Sequence, residues 1–141
     1  MAEIVTPISG EVICTIPDST LADVDNALDL ATSSFVNWRL MPPSQRGHLL
    51  IKAAQLMRER ADEIATLETL NTGKKFQDTK REALRAADCF EYYGGYADKL
   101  TGTVVPVPGE FHAYTEREPY GVVAGIIPWN VPYFFAAKKI A

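Results

Sequence analysis

The sequence predicts an α/β protein in which a helical half is followed by a β-rich half that ends in one strand and one helix. Apolar residues recur at spacings of three and four along residues 18–100, which is the pattern of amphipathic helices. Two pairs of short runs with β propensity, the first pair rich in Ile and Val, are each separated by a turn signal. A continuous apolar run over 122–127 precedes a final helical segment. Together these patterns place a boundary between the two halves near Thr101.

Residues 1–17 are predicted to form a β-hairpin. Its strands are the runs at 3–8 and 11–16. Ser9-Gly10 joins them, because glycine can supply the positive φ that a tight turn needs. Pro17 then ends the second strand, since proline has no N–H to offer a partner strand.

The helical half, residues 18–100, is predicted to contain three helices. The first begins after Thr20, which forms a capping box with Asp23, and it ends near Asn37. A single apolar stripe runs along this helix: Leu21, Val24, Leu28, Ala31 and Phe35. A second helix is predicted from Ser44, after two prolines, to a left-handed cap at Gly73. A bend near Ala61-Asp62 is expected in it, because about 27 residues is long for one globular helix.

The third helix is predicted over residues 76–100. Its buried side consists of Ala83, Ala86, Ala87, Phe90, Tyr93, Ala97 and Leu100. The pair Gly94-Gly95 is unfavourable inside a helix, so it indicates either close packing or a break at that point.

The β-rich half begins with a second predicted hairpin over 101–118, in which Pro108-Gly109 separates runs at 103–107 and 111–117. Residues 119–141 then predict the first βα unit of a doubly wound domain. The run at 122–127 does not alternate, as expected of a strand that is covered on both faces, and Pro128 ends it. The unit is incomplete, because a parallel strand needs a neighbouring strand.

Composition excludes several classes of protein. The 141 residues carry a net charge of -4 and no stripe of Lys and Arg, so no nucleic-acid partner is expected. No apolar run approaches the roughly 18 residues of a membrane span, and no secretory signal opens the chain, so no membrane partner is expected either. Cys14 and Cys89 belong to no metal-binding motif, which favours a cytoplasmic location, no metal site and two buried thiols.

The remaining charged residues suggest no further site. The acidic residues of the second helix, Glu59, Asp62, Glu63 and Glu68, interleave with arginines and are predicted to form a solvated helix face. His48 and His112 have no acidic or cysteine partner at ligand spacing, so surface or packing roles are favoured for both.

The densest group of candidate site residues is the segment IIPWNVP at 126–132. It follows the predicted buried strand, and open α/β sheets bind ligands at the carboxyl ends of their strands. Prolines fix the loop around Trp129 and Asn130, and the Asn130 amide could stabilise an oxyanion without changing its own charge. A tight turn in which Asn130 only caps the next helix explains the same residues equally well.

Several motifs resemble the amino-terminal part of the NAD(P)-dependent aldehyde dehydrogenase superfamily. They are EPYGVV at 118–123, IIPWNVP at 126–132 and the closing KIA. Residues 6–11 resemble the early hairpin of the family. The motifs LET and TGK, between residues 67 and 74, resemble the end of a family helix, and Tyr92-Tyr93 resembles part of the helix that follows it. The resemblance implies a hairpin over 1–17, a helical part over 18–100, a second hairpin over 101–118 and the start of a cofactor-binding domain over 119–141.

The resemblance also assigns roles to single residues. Asn130 would help to form the oxyanion hole around a cysteine-bound thiohemiacetal during oxidation of an aldehyde to a carboxylic acid. Ile127, Pro128 and Trp129 match the lining of the nicotinamide-ribose side of an NAD or NADP site. The aldehyde tunnel would be lined by Val131, Phe134, Phe135 and Lys138. Lys138 stands where an aromatic residue is usual, so it either favours an anionic aldehyde or is a solvated helix residue.

The family's nucleophilic cysteine, its general-base glutamate and its adenosine- and pyrophosphate-binding residues match no position in this sequence. We therefore expect the 141-residue chain to be inactive alone and to bind NAD no tighter than millimolar. The complete enzyme would be a homo-oligomer, either a dimer or a tetramer. Two other hypotheses are a short interaction or oligomerisation module that pairs through its helices or an open hairpin edge, and NAD binding without catalysis.

Overall fold

The first hairpin forms in the computed structural model, which describes residues 1–141, although its first strand ends at Val5 rather than at Ile8. Strand β1 (Ala2–Val5) pairs antiparallel with β2 (Val12–Ile16), and Ile4 lies opposite Cys14. The turn closes through the Thr6 N–H, which donates to the Glu11 carbonyl at 2.9 Å, and Gly10 takes the predicted positive φ of 79°.

Helix α1 (Leu21–Leu40) begins with the predicted capping box and runs slightly past its predicted end. The Asp23 N–H donates to Thr20 Oγ1 at 3.3 Å, and the Thr20 N–H donates to Asp23 Oδ2 at 2.7 Å. None of its residues is buried, and Leu21 is 84% exposed. The apolar stripe of this helix is exposed, except for the half-buried Phe35.

The predicted second helix is divided into α2 (Pro43–Glu59) and α3 (Ala61–Thr72). The break falls at Arg60, one residue from the predicted bend, and Gly73 ends α3 in the predicted left-handed conformation with φ 75°. Helix α4 (Phe76–Tyr96) packs against both α2 and α3. Together these three helices form the bundle that holds most of the buried residues.

The bundle is packed through small residues. Its buried hydrophobic side chains are Ala54, Ala61, Ala65, Ala83, Ala86, Ala87 and Phe90. A Cβ atom added to Gly47 would lie 2.3 Å from the Gly94 carbonyl oxygen, so α2 and α4 touch through their backbones. This confirms the close packing predicted at Gly94. Tyr93 and Leu100 are exposed, contrary to prediction, because α4 ends at Tyr96 and the Tyr93 ring packs edge-on against Tyr92.

The second hairpin forms, but it is short. Strand β3 (Val104–Val105) pairs antiparallel with β4 (Ala113–Tyr114). The predicted strand over 122–127 is absent: these residues make no backbone hydrogen bonds, and Ile126 is 94% exposed. The reason is that no parallel strand lies beside this segment to accept its N–H groups.

Helix α5 (Pro132–Ile140) confirms the helical half of the predicted βα unit. It packs on α4 through the buried Ala137, which joins the core cluster around Phe90. Tyr133 and Phe134 flank that cluster and are half-buried. This docking fixes α5, and it therefore fixes the candidate site residues that α5 carries. None of the five helices has the length and apolar character needed to cross a bilayer.

Candidate functional site

Asn130 lies in the turn immediately before α5, and its side chain is unbonded. The N-cap residue of α5 is Val131, whose carbonyl accepts from the Phe135 N–H at 3.1 Å, and no side chain caps this helix. The interpretation of Asn130 as a helix cap is therefore wrong. Its exposed amide remains free to donate, beside the end of α5 at which unpaired N–H groups and the positive pole of the helix dipole concentrate.

The residues predicted to line a substrate tunnel come together on one face of α5. Phe134 and Phe135 are half-buried, with their ring centroids 5.8 Å apart and the rings edge-to-face. Lys138 Nζ lies 5.7 Å from the centroid of Phe134 and 5.6 Å from that of Phe135. Val131 is half-buried at the start of the helix. The four residues thus line a continuous strip that begins next to Asn130.

Arg85 of α4 belongs to the same strip, although it was absent from the predicted set. Its guanidinium carbon lies 4.8 Å from the centroid of the Phe134 ring, which is cation–π distance. Along α4 it is one of several exposed charged residues, and nothing in the spacing distinguishes it. Only the docking of α5 on α4 reveals its position.

The predicted cofactor residue Ile127 lies on another side of α5. It lines a cavity of about 240 Å³ with Ala136 and Lys139, and it borders a larger cavity of about 580 Å³ with Pro132 and Tyr133. Positions 134 and 136 point about 200° apart around a helix. The predicted cofactor and aldehyde surfaces therefore lie on separate sides of α5, with Asn130 at its amino-terminal end.

Pro128 and Trp129 are less well placed by the structure. Both are exposed, and Trp129 is 83% exposed at the tip of the turn. Neither residue makes a backbone hydrogen bond. Their assignment to the cofactor site stays a prediction.

The larger cavity is lined by the first hairpin, α3 and α5 and contains a buried carboxyl group. Glu68 is 5% exposed, so its assignment to a solvated helix face is wrong. Its Oε1 accepts from Lys74 Nζ at 3.0 Å, whereas Oε2 has no hydrogen-bond partner. Burial raises the pKa of Glu68 despite the adjacent ammonium group. Burial likewise raises the pKa of Tyr133, which lines the same cavity.

Lys74 joins α3 to α4 at this point. Its ammonium group contacts both Glu68 and Glu82. Burial lowers the pKa of Lys74, but its hydrogen bonds to Glu82 and Glu68 outweigh that effect and leave the pKa raised. Nearby, Thr79 Oγ1 donates to the Ala65 carbonyl at 3.0 Å. These contacts connect backbone and side chains within the bundle, so their role is structural.

The two cysteines do not resemble activated nucleophiles. Cys14 is exposed on β2 and Cys89 is half-buried on α4, and neither forms a disulfide. The expectation that both are buried is wrong for Cys14, which lies at the wall of the larger cavity and stays exposed there. His48 and His112 are both exposed.

Comparison with known proteins gives a consistent result. The model of the aldehyde dehydrogenase family matches residues 1–141. Aldehyde dehydrogenase 1 of Tanacetum cinerariifolium is 42% identical over 142 residues, which cover 99% of this chain and 28% of that protein. The chain thus spans less than a third of the length of this relative.

Solved structures of similar proteins support the same fold. The structure of PnpE in complex with nicotinamide adenine dinucleotide matches with a TM-score of 0.94 and 41% identity, over 99% of this chain and 29% of that one. The structure of glyceraldehyde-3-phosphate dehydrogenase GapN from Methanocaldococcus jannaschii, complexed with NADP, matches with a TM-score of 0.91 and 28% identity, over 98% and 30% of the two chains. The predicted fold class is confirmed by these matches.

Proposed function

Because the chain belongs to the aldehyde dehydrogenase family, we propose that it forms the amino-terminal portion of an enzyme that oxidises an aldehyde to a carboxylic acid with NAD or NADP. The observation that carries the proposal is the free amide of Asn130 beside the amino-terminal end of α5. When the aldehyde carbonyl is attacked, its oxygen gains negative charge, and a fixed amide donor stabilises that charge.

Each group of residues around Asn130 would have its own part in the reaction. The strip of Val131, Phe134 and Phe135 would hold the organic part of the aldehyde and exclude water from it. Ile127, Pro128 and Trp129 are uncharged and exposed, so they fit the nicotinamide end of a dinucleotide but supply no cation for its pyrophosphate. NAD(P), when bound, accepts a hydride from the substrate.

The nucleophile of the proposed reaction would lie outside residues 1–141. Neither Cys14 nor Cys89 has a histidine near it in the sequence. We accordingly expect no turnover when the 141-residue chain alone is mixed with NAD or NADP and a panel of aldehydes while the reduced cofactor is monitored. Turnover that disappears in a Cys14→Ser or Cys89→Ser variant would overturn this part of the proposal.

The Asn130 assignment is tested in the complete enzyme. Asn130→Ala is expected to lower kcat by about 10²–10³, because one oxyanion donor is lost. Asn130→Asp should lose at least as much, since it places a negative charge beside the developing oxyanion. Asn26→Ala, at an exposed position of α1, is the matched control and should leave kcat unchanged. An unchanged kcat in Asn130→Ala would remove Asn130 from the mechanism.

Further features of the whole protein follow from the same proposal. Residues 119–141 would begin its cofactor-binding domain, and the two hairpins and the helical part would precede it. A homo-oligomer, dimer or tetramer, and a cytoplasmic location are proposed as well, the latter because both cysteines are free. Sedimentation of the complete enzyme would measure its oligomeric state, and labelling in the cell would show its location.

A further inference from the structure

Two cations and two aromatic rings form a cluster where α5 lies against α4. The cation–aromatic cluster consists of Arg85, Phe134, Phe135 and Lys138. Arg85 approaches the Phe134 ring to 4.8 Å, and Lys138 lies within 6 Å of both ring centroids, at 5.7 and 5.6 Å. Both cations are exposed and both rings are half-buried.

Neither cation of the cluster has an acidic partner. The acids within one turn of Arg85 are Glu82 and Asp88, and both are already paired, Glu82 with Lys74 and Asp88 with Arg58 at 2.9 Å. Helix α5 contains no acidic residue at all, so Lys138 finds none on its own helix. Both cations lie near the Phe134 ring, so positive charge accumulates there, and an anion bound beside the ring would offset it.

The chemistry of the cluster defines its ligand. A guanidinium group can hold a carboxylate through two parallel hydrogen bonds, and an ammonium group adds a point charge. The half-buried phenylalanine rings offer an apolar surface directly beside these cations. The combination fits a molecule with a hydrocarbon segment that ends in a carboxylate.

The position of the cluster relative to Asn130 connects it with the reaction. Lys138 is seven residues beyond the N-cap Val131, about 10 Å along the helix axis at ~1.5 Å per residue. Helical side chains lean towards the amino terminus, so the Lys138 chain points back along this distance. A ligand with a carbonyl beside Asn130 can therefore place a carboxylate on the cluster when several carbon atoms separate the two groups.

We propose that Arg85 and Lys138 bind the carboxylate of the substrate and so select ω-carboxylated aldehydes over uncharged ones. This inference rests on the function proposed above, since it requires the aldehyde carbonyl to react beside Asn130. It makes Arg85 and Lys138 specificity-determining residues, which set the preference among aldehydes and leave the chemical step to other groups.

The test compares substrates of matched length with the complete enzyme. Succinic semialdehyde is compared with butanal, and adipic semialdehyde with hexanal, at fixed cofactor and ionic strength. We expect a higher kcat/KM for at least one of the carboxylated aldehydes than for its uncharged counterpart. Lys138→Met and Arg85→Met should each lower kcat/KM for that substrate by about tenfold or more, mostly through KM, because each removes one charge-assisted contact. Lys138→Arg should retain the preference.

Matched variants separate this effect from loss of charge in general. Arg39 lies 5.9 Å above Phe35 on α1, so Arg39→Met removes a similar cation–aromatic contact far from the cluster along the chain. Lys52→Met removes an exposed, unpaired lysine of α2. Both should leave the substrate preference unchanged. Activity on uncharged aldehydes without preference for the carboxylated ones overturns the inference and leaves the proposed function intact. Absence of activity on every aldehyde overturns both.

Discussion

The bundle of α2, α3 and α4 and the segment between residues 101 and 131 both contain many apolar residues. In the bundle several of these residues are buried, whereas in the segment most of them are exposed. In the bundle, alanines and Phe90 are buried between helices whose backbones touch at Gly47 and Gly94. In the segment, every residue from 101 to 112 is exposed, and so are both Ile126 and Trp129. The difference shows that apolar sequence leads to burial only where a partner surface exists.

The cause lies in how each kind of element satisfies its backbone. A helix makes its hydrogen bonds within itself, so the backbones of α2, α3 and α4 are satisfied while their apolar faces pack together. A strand needs another strand, and residues 122–127 have none beside them. Helix α1 shows the intermediate case, because its backbone is satisfied while its apolar stripe stays exposed.

The largest expected effect comes from the contact that defines the bundle. Gly47→Ala would place a Cβ atom 2.3 Å from the Gly94 carbonyl oxygen, so α2 and α4 must move apart. We expect the free energy of unfolding, measured by urea denaturation, to fall by about 3 kcal/mol.

Gly95→Ala is the matched control for this substitution. A Cβ atom at Gly95 meets no atom within 4 Å, and alanine is the better helix former by about 1 kcal/mol. The two variants should therefore change stability in opposite directions. Equal effects would show that the α2–α4 contact is looser than the structure indicates.

The same contrast explains which parts of the fold were predictable. The capping box of Thr20, the break near Ala61 and the left-handed Gly73 are local signals, and all three are confirmed. The strand at 122–127 depends on a distant partner strand, and its prediction is wrong for this chain. Local sequence could not show whether that partner is present.

Prediction of the candidate site from sequence was also limited by tertiary contacts that the sequence does not reveal. Phe134, Phe135 and Lys138 are neighbours on one helix face, so a motif in α5 was enough to group them. Arg85 lies about fifty positions earlier in the sequence and reaches them only because α5 docks on α4. Glu68 was misassigned for a similar reason, since the cavity that encloses it is built from the first hairpin, α3 and α5.

A smaller effect is expected at the polar junction between α3 and α4. Lys74→Met leaves the buried Glu68 without a cation, so we expect the free energy of unfolding at neutral pH to fall by about 2 kcal/mol. The loss should shrink as the pH falls towards about 4, where a protonated Glu68 needs no cation. Urea denaturation of both proteins across this pH range measures the difference.

The direction of each pH effect follows from the pKa shifts. Burial raises the pKa of Glu68, so its ionisation costs stability as the pH rises through the unfolded and then the folded value. The pKa of Lys74 is raised as well, so its contribution is complete at neutral pH and is lost only in the alkaline range. Lys80→Met, which removes an exposed pair with Asp62 at 2.6 Å, is the control and should cost about 0.5 kcal/mol or less. A pH-independent loss in Lys74→Met would show that packing of the lysine stem, and not its charge, holds this junction together.

The smallest effect is expected in α1, which contributes no buried residue. Thr20→Ala removes the capping box, so the first turn of α1 loses about 1 kcal/mol of local stability. Hydrogen exchange followed by NMR should show faster exchange of the α1 amides, while the amides of α2 and α4 stay unchanged. The urea midpoint of the bundle should not move, because α1 contributes no buried residue to it. A lower urea midpoint together with faster exchange of the α2 and α4 amides would instead place α1 in one cooperative unit with the bundle. The contrast between packed and unpacked regions would then not extend to this helix.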